Sequence, residues 1–419
     1  MPHRTDINLK NIVLIIFLAA ALLAMPFLLR HFSGMPLHYG PDFYTQDNPL
    51  HNFIFRYTQS WQVYFNVLIG ILSSVLFYFV LKDNIKEKSI AFFASLLMVV
   101  SPLFIYTFTS SNFNSMALFL TLLGAWMFKK QKSHFLSIVP FILSSLFSIF
   151  NSIVSLMAIF LLSYSKDKKE KFKILTIIIM VLVTIFANVD FYYKNQFTGL
   201  FTDFGSFTGI SLILLILSII GFAYSWKSNE KAKFAHFSVI IFTIMFFIFD
   251  NTILIYLNPA LCVLAAYGII FLLNRKWNSE TVKNITLFLI MLGLIFSAVS
   301  YETRLKSFEP NNEMFDAFQF LSEQAKGIVV ANPDYSSYLT HFQMQPLIFY
   351  PRIYMEKTEV DYRYAFSLRE MDKLRRFLDS NRVRYIITDE KTPESFLQAL
   401  ENNDFTKIYE NSKIKIYRY

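Results

Sequence analysis

The chain has one cysteine in 419 residues, Cys262, which sits in an apolar run without a second thiol, so a disulfide framework and cysteine chemistry are excluded. Charge is also scarce, at 16% of residues, and no Lys or Arg falls inside any of the long apolar stretches. No Gly-rich phosphate loop, no His/Cys ligand cluster and no internal repeat is present, which removes the usual nucleotide-binding, zinc and solenoid readings. What fills the chain instead is apolar. Hydrophobic residues make up 54% and aromatic ones 18%, with 48 Phe and 23 Tyr, and mean hydropathy is +0.42. Such a composition is that of a polytopic α-helical membrane protein.

Residues 1–300 divide into apolar segments separated by polar loops. They are read as helices because a backbone in hydrocarbon must satisfy its own hydrogen bonds. Full-length spans are expected at 11–29, 61–81, 89–108, 174–190, 208–226, 253–273 and 284–300, with shorter ones at 113–128 and 235–249. The first of these contains Ala-rich positions near Met25 but is long enough to be a retained helix rather than a signal peptide. The apolar run 135–164 is broken at Phe150-Asn151-Ser152 and is read as two half-length helices, because basic loops flank it on both sides. The total is about 11 spans.

Lys and Arg in short loops stay cytoplasmic. With the N-terminus inside, the inner loops hold 19 Lys and Arg and the outer loops only Arg30, Arg56 and Lys194. The expected topology is therefore N-in and C-out in the plasma membrane. The net charge of +9 is mostly a signal of this orientation and calls for no nucleic-acid partner.

Composition changes after Ser300. Residues 301–419 carry 17 basic and 18 acidic residues and read as a soluble extracytoplasmic α/β domain, following the transmembrane domain 1–300. Helices are expected over about 311–326, 367–380 and 393–402, and strands at 328–331, 385–387, 406–409 and 413–417, the last two joined as a hairpin through Asn411-Ser412. Glu302, Arg304 and Glu309 are read as the solvated face of the linker between the domains.

The longest polar break of the membrane half is the first outer loop, 30–60, which holds His38, Asp42, Tyr44, Asp47 and His51. Carboxylates expected at the outer face are Asp42, Asp47, Asp190, Asp203 and Asp250. For Asp47, Asp203 and Asp250 a turn or helix-cap role is the expectation, since Asp serves readily there. Arg30 and Arg56 have an alternative role as interfacial anchors that snorkel at span ends.

Gly40-Pro41-Asp42-Phe43-Tyr44, then Asn48-Pro49-Leu50-His51, and the Ser101-Pro102-Leu103-Phe104 break lie in a chain of many short-looped spans with an outer α/β domain. In this arrangement the sequence resembles the GT-C superfamily, membrane glycosyltransferases that take sugar from a polyprenyl-phosphate carrier, and within it is distantly similar to the oligosaccharyltransferase catalytic-subunit family. The resemblance implies a polyprenyl-phosphate sugar donor, an acceptor that is a glycan, lipid or protein, and inverting transfer at the outer face. It makes Asp42 the expected general base. Arg30, His38, Tyr44, His51, Arg56, Asp190 and Lys194 become candidates for binding the donor phosphate or substrate.

In the soluble domain, Asn332-Pro333-Asp334-Tyr335 stands where that family has WWDYG, and only Asp334 and Tyr335 match, which adds both to the candidate substrate residues. The family's second acidic motif, where its metal is held, corresponds here to Thr109-Ser110-Ser111-Asn112-Phe113-Asn114-Ser115, without a carboxylate. A hard divalent cation wants several oxygen ligands, and Asp42 with neutral Asn and Ser partners makes a weak site, so no cofactor is expected and a divalent metal is possible but unsupported. Two other classes fit the sequence. One is a non-catalytic GT-C-like protein that binds carrier lipid or glycan. The other is a lipid or glycan transporter, against which stand the absence of a mid-membrane charge and of related halves.

Overall fold

The computed structural model describes residues 9–37, 62–85, 87–110, 112–130, 135–147, 149–163, 201–206, 209–228, 233–248, 253–306, 310–332, 335, 338–339, 342, 344–346, 371–390, 392–402 and 405–419. These form two units, one within 9–29 and 62–306, the other within 30–37 and 310–419. The expected domain boundary at 300 falls inside a helix that continues to Lys306.

The first unit is helical: α1 (Leu9–Phe32, whose last turn belongs to the second unit), α2 (Gln62–Asn84), α3 (Lys88–Val100), α4 (Pro102–Ser110), α5 (Asn112–Lys130), α6 (Phe135–Ser145), α7 (Ile149–Ser163), α8 (Leu212–Ser228), α9 (Lys233–Ile248), α10 (Ile253–Asn274) and α11 (Glu280–Lys306). Among the described residues four helices, α1, α2, α10 and α11, are long and apolar enough to cross a membrane, and the bent pair α3–α4 makes a fifth. The expected span 174–190 lies outside the described residues. Helix α1 shows why lipid is its solvent. Ile15, Ala19 and Leu23 form one buried seam at a spacing of four, while Val13, Leu14, Phe17 and Leu28 are exposed. In water such a surface would be an aggregation site; in hydrocarbon it is the ground state.

Two expectations are corrected. The span expected over 89–108 is not one helix but breaks at Ser101 with a bend of 59° between α3 and α4. Pro102 has no N–H to continue the ladder, and it opens α4 as a first-turn residue, with the Ser101 hydroxyl accepting the Phe104 N–H at 3.2 Å. In 135–164 the first helix ends at Ser145 and the next begins at Ile149, ahead of the Phe150-Asn151-Ser152 position expected for the break, so Asn151 lies in the first turn of α7. The Ser152 hydroxyl donates to the Ser145 carbonyl across the break, and Asn151, almost fully buried, accepts from the Tyr256 hydroxyl of α10. At 1.5 Å per residue the 11-residue α6 spans roughly 16 Å, about half a bilayer core.

Helix α10 is the centre of the bundle, packed by α3, α4, α8 and α9 and buried over most of its length. Its approach to α8 is the tightest in the unit. A Cβ at Gly221 would collide with the Leu264 carbonyl oxygen and lie 2.7 Å from the Gly268 nitrogen, and one at Gly268 would collide with the Leu217 carbonyl oxygen. Ser218 joins the same seam, its hydroxyl 2.9 Å from the Leu261 carbonyl. Small residues at this spacing let two backbones touch, which is how helices associate when lipid offers no hydrophobic driving force between them.

The second unit is a five-stranded mixed sheet in the order β2-β1-β3-β5-β4, made of β1 (Ile328–Val330), β2 (Gln345–Pro346), β3 (Val383–Asp389), β4 (Thr406–Glu410) and β5 (Ile414–Arg418). Strand β1 runs parallel to β2 and β3, and β5 pairs antiparallel with β3 and β4. Helix α12 (Asn312–Ser322) sets Met314, Phe318 and Leu321 against Val329, Tyr385, Ile387 and Ile416 on one face. Helices α13 (Met371–Ser380) and α14 (Glu394–Glu401) set Leu374, Leu378, Phe396 and Leu400 against Val330, Ile386 and Tyr417 on the other. Covered on both sides, β3 is buried over most of its length, as a central strand must be. Asn311 caps α12 by accepting the Met314 N–H at 2.9 Å, and Asn411 turns the β4–β5 hairpin by accepting the N–H groups of Lys413 and Ile414.

Replacing Gly221 by Val forces α8 and α10 apart, because the atoms it meets are backbone. The expected loss is about 1–3 kcal/mol, read as a lowered Tm of the purified chain in detergent. An unchanged Tm would mean that this seam is not close-packed.

Candidate functional site

In the membrane unit, polar side chains gather where the α3–α4 break meets the start of α8 and the second half of α11. A narrow pocket there is lined by Val100, Ser101, Pro102, Ser211, Leu294 and Ser297, among others. Ser101 is held from two sides, since its hydroxyl caps α4 and accepts a hydrogen bond from the Asn258 side-chain amide at 2.7 Å. Bending the span at Ser101 therefore exposes a cap residue to the interior, and Asn258, one residue before Pro259 in α10, supplies its partner.

The 3-10 turn Thr202–Phe204 reaches the pocket-lining Ser297 through Asp203. Asp203 points back at α8, where its carboxylate accepts the Leu212 N–H, the first of the helix, and it also accepts the Ser297 hydroxyl at 2.7 Å. A carboxylate at a helix N-terminus meets an orphan donor and the positive end of the dipole, so the cap role expected for Asp203 is the one observed. Ser297 lies 3.2 Å from the Ser211 hydroxyl, which completes a chain from α11 to the turn and to α8. One further turn along α11 lies Glu302, whose burial corrects the expectation of a solvated linker face. It is 1% exposed.

The second unit has its own polar cluster at the carboxyl ends of the parallel strands β1 and β3, the end where α/β sheets carry their sites. Asp389 closes β3 and accepts the Tyr335 hydroxyl at 2.8 Å on one oxygen and the Thr392 hydroxyl at 3.0 Å on the other. The Asn332 amide lies 3.5 Å from the same carboxylate. Tyr335, itself buried, straps the segment after β1 onto the end of β3.

Of the residues named from sequence as the base or as donor- or substrate-binding candidates, Arg30 and Tyr335 are described. His38, Asp42, Tyr44, His51, Arg56, Asp190, Lys194 and Asp334 lie outside the described residues, as do Asp47 and Asp250. Arg30 is fully buried, and its guanidinium donates to the carbonyls of Pro36 and Pro310, each at 2.7 Å. Buried in this way it is not a snorkelling anchor; it ties residues 30–37 to the start of the C-terminal stretch within the second unit. In the turn 109–115, where the resemblance would set a metal, the Thr109 and Ser110 hydroxyls donate back to the carbonyls of Ile105 and Tyr106. Hydroxyls spent on their own helix and a lack of carboxylates do not fit a divalent cation. Among the described residues no group of three or more His, Cys, Asp or Glu could hold a metal.

No family model matches the chain, and no curated protein matches it in sequence. Solved structures do. The oligosaccharyltransferase of Archaeoglobus fulgidus, crystallised with a tethered acceptor peptide containing the NVT sequon, superposes with a TM-score of 0.56 at 12% identity, covering 98% of this chain and 73% of that one. Its apo form gives 0.54 at 12% identity over 92% and 70%. ArnT from Cupriavidus metallidurans in the apo state gives 0.50 at 11% identity over 96% and 93%. The chain shares the fold of these solved structures, to which it is distantly similar.

Asp203→Ala removes a cap and the Ser297 link together, and a loss of about 1–2 kcal/mol is expected in thermal or denaturant unfolding of the full chain. Tyr335→Phe keeps the ring but takes from Asp389 the 2.8 Å hydrogen bond; it is expected to lower stability by about 1–3 kcal/mol. Limited proteolysis after β1, faster in Tyr335→Phe than in wild type, is the measurement that locates the effect.

Proposed function

We propose that this chain transfers a sugar from a polyprenyl-phosphate-linked donor to an acceptor at the outer face of the plasma membrane, with inversion at the anomeric carbon. The observation that carries the reading is the shared fold with an oligosaccharyltransferase over 98% of the chain. It is joined by the Gly40-Pro41-Asp42-Phe43-Tyr44 motif in the first outer loop and by the nineteen-to-three bias of Lys and Arg that orients the spans with the C-terminal domain outside.

An acceptor hydroxyl oxygen attacks the anomeric carbon from the face opposite the phosphate. The new C–O bond forms as the bond to the phosphate oxygen breaks, and the phosphate leaves with that electron pair. Asp42 takes the hydroxyl proton as general base. The leaving phosphate needs positive charge or donors, and Arg56, Lys194, His38 and His51 are the outer groups that can provide them. Arg30, which spends two of its five N–H donors on carbonyls, belongs to the same set. Tyr44 and Asp190 remain for the sugar or acceptor, and Asp334 and Tyr335 for an acceptor met by the C-terminal domain. No step passes through a metal.

The turn 109–115, without a carboxylate, favours a second reading in which the chain binds carrier lipid or glycan without transfer. Glycan profiles of cells with and without the gene separate the two. In cells that show a gene-dependent glycan, Asp42→Asn at equal expression is expected to lower its formation by about 100-fold or more. Full formation with Asp42→Asn would remove Asp42 as the base.

A further inference from the structure

The two ends of the sheet in the second unit differ in charge. The carboxyl end of β3 is where the chain enters this unit, because Ile414 pairs with Asp389 there and Asn411 of the same hairpin donates to the Glu313 carbonyl at 2.7 Å. Among the described residues that end carries Glu313, Asp389, Glu390, Glu394 and Glu410 against Lys413 and Lys415. The amino end is basic. Lys326 leads into β1, Arg382 and Arg384 open β3, Arg418 closes β5, and Arg375 and Arg376 lie on α13, all six exposed. The acids on the elements that end here are Glu323, Asp379 and Glu401, of which Asp379 accepts the Tyr419 hydroxyl and Glu401 pairs with Lys415. Among the described residues Arg376, Arg382, Arg384 and Arg418 take part in no ion pair. The seven residues of β3 hold the two ends roughly 20 Å apart, against a Debye length of about 8 Å in physiological salt, so the acidic end does not cancel the basic one.

A solvated charged rim needs no special backbone, yet three local features serve these cations. Arg382 has φ 52°, the only positive φ outside glycine among the described residues, at a helix exit where glycine is the strain-free choice. Arg384 is the extra residue of a bulge, since the partners of Ile328 and Val329 are Val383 and Tyr385. Bulges re-aim side chains. Gly327 leaves the room for it, because a Cβ there would lie 2.6 Å from the Arg384 Cβ and 2.7 Å from its Cδ. The Arg384 guanidinium lies 5.9 Å from the Tyr385 ring, and Arg418 is the partner of Tyr385 on β5, so two arginines are neighbours across the strands. A carboxylate is filled by one guanidinium fork, whereas a phosphate has oxygens for two. From β1 to β5 the row of cations is about 10 Å wide, more than one anion needs.

We propose that the amino end of this sheet binds a polymer of repeated phosphate groups, with Arg384 and Arg418 sharing one phosphate and Arg382 and Lys326 meeting its neighbours along the chain. With the C-terminal domain outside the membrane, as in the reading above, the partner is a cell-surface polymer. The inference takes only that location from the reading and none of the transfer chemistry.

The test titrates the full chain, held in nanodiscs of neutral lipid, into fluorescently labelled long-chain polyphosphate and reads anisotropy. Wild type is expected to bind, and less tightly as salt rises. The double variant Arg384→Gln with Arg418→Gln should lose about tenfold or more and show a flatter salt dependence at an unchanged ligand-free Tm. Lys413→Gln, at the acidic end, should bind as wild type does. Arg382→Gly separates binding from scaffold: glycine suits φ 52°, so Tm is expected at or above that of wild type while affinity falls by about threefold. A wild-type chain that binds no polyphosphate, or a double variant that binds it equally well, overturns the proposal. So does polyglutamate bound as tightly, or displacement of polyphosphate by vesicles of anionic phospholipid at equal phosphate concentration, which would make the partner a membrane surface. Labelling of Ser412→Cys in intact cells by a membrane-impermeant maleimide checks the location separately; a site that stays unlabelled overturns the cell-surface partner while the binding result stands on its own.

Discussion

The membrane unit depends on a contact made almost without side chains. Where α8 crosses α10, Gly221 lies against the Leu264 carbonyl and Gly268 against that of Leu217, with Ser218 bonding to Leu261 in the same seam. Two apolar helices in lipid gain little from merely being apolar, so they are held by close van der Waals contact and a few polar links. This seam keeps α10 in the middle of the bundle, and α10 in turn presents Tyr256 to Asn151 and Asn258 to Ser101. The half-length helices and the bent span are thus fastened to a helix whose own position is set by two glycines.

The same economy explains the distribution of polar groups. Hydroxyls of Thr107, Thr109, Ser110, Thr121 and Ser145 each return to the carbonyl four residues earlier, so their burial costs little. Against that background the groups that reach across helices stand out: Ser101 with Asn258, Ser297 with Asp203 and Ser211, and Thr121 with Ser144. The first two of these sets lie around the α3–α4 break.

In the second unit the constraint is different, because a sheet covered on both faces is held by apolar packing and the loops at strand ends need separate fastening. Asp389 supplies that for the segment after β1 through Tyr335 and Thr392. Arg30 does the same for residues 30–37 through two carbonyls. Both are charged side chains used as multi-point hydrogen-bonding posts for irregular backbone.

Much of this was legible in residues alone. Apolar run length and the Lys and Arg bias define a polytopic helical protein, the polar Asn151-Ser152 in 135–164 marks a divided span, and alternation around Asn411-Ser412 marks a hairpin, because each depends on local periodicity or on the bilayer as solvent. Asp203 as a helix cap followed from the habit of its side chain. Other features had no local signal. Pro102 could have begun a new helix or kinked an old one, and the choice rests on Ser101 meeting Asn258 from 157 residues away. Arg30 at the end of an apolar run has the pattern of an anchor, and only the fold brings Pro310 to it. Glu302 follows a span end in sequence, where acids are ordinarily solvated, yet the tertiary structure turns its face of α11 inward. Sequence determined which segments are helix, strand and membrane-compatible, since those are properties of neighbours in the chain. Which charged groups are buried, and beside what, was decided by packing between residues far apart in it.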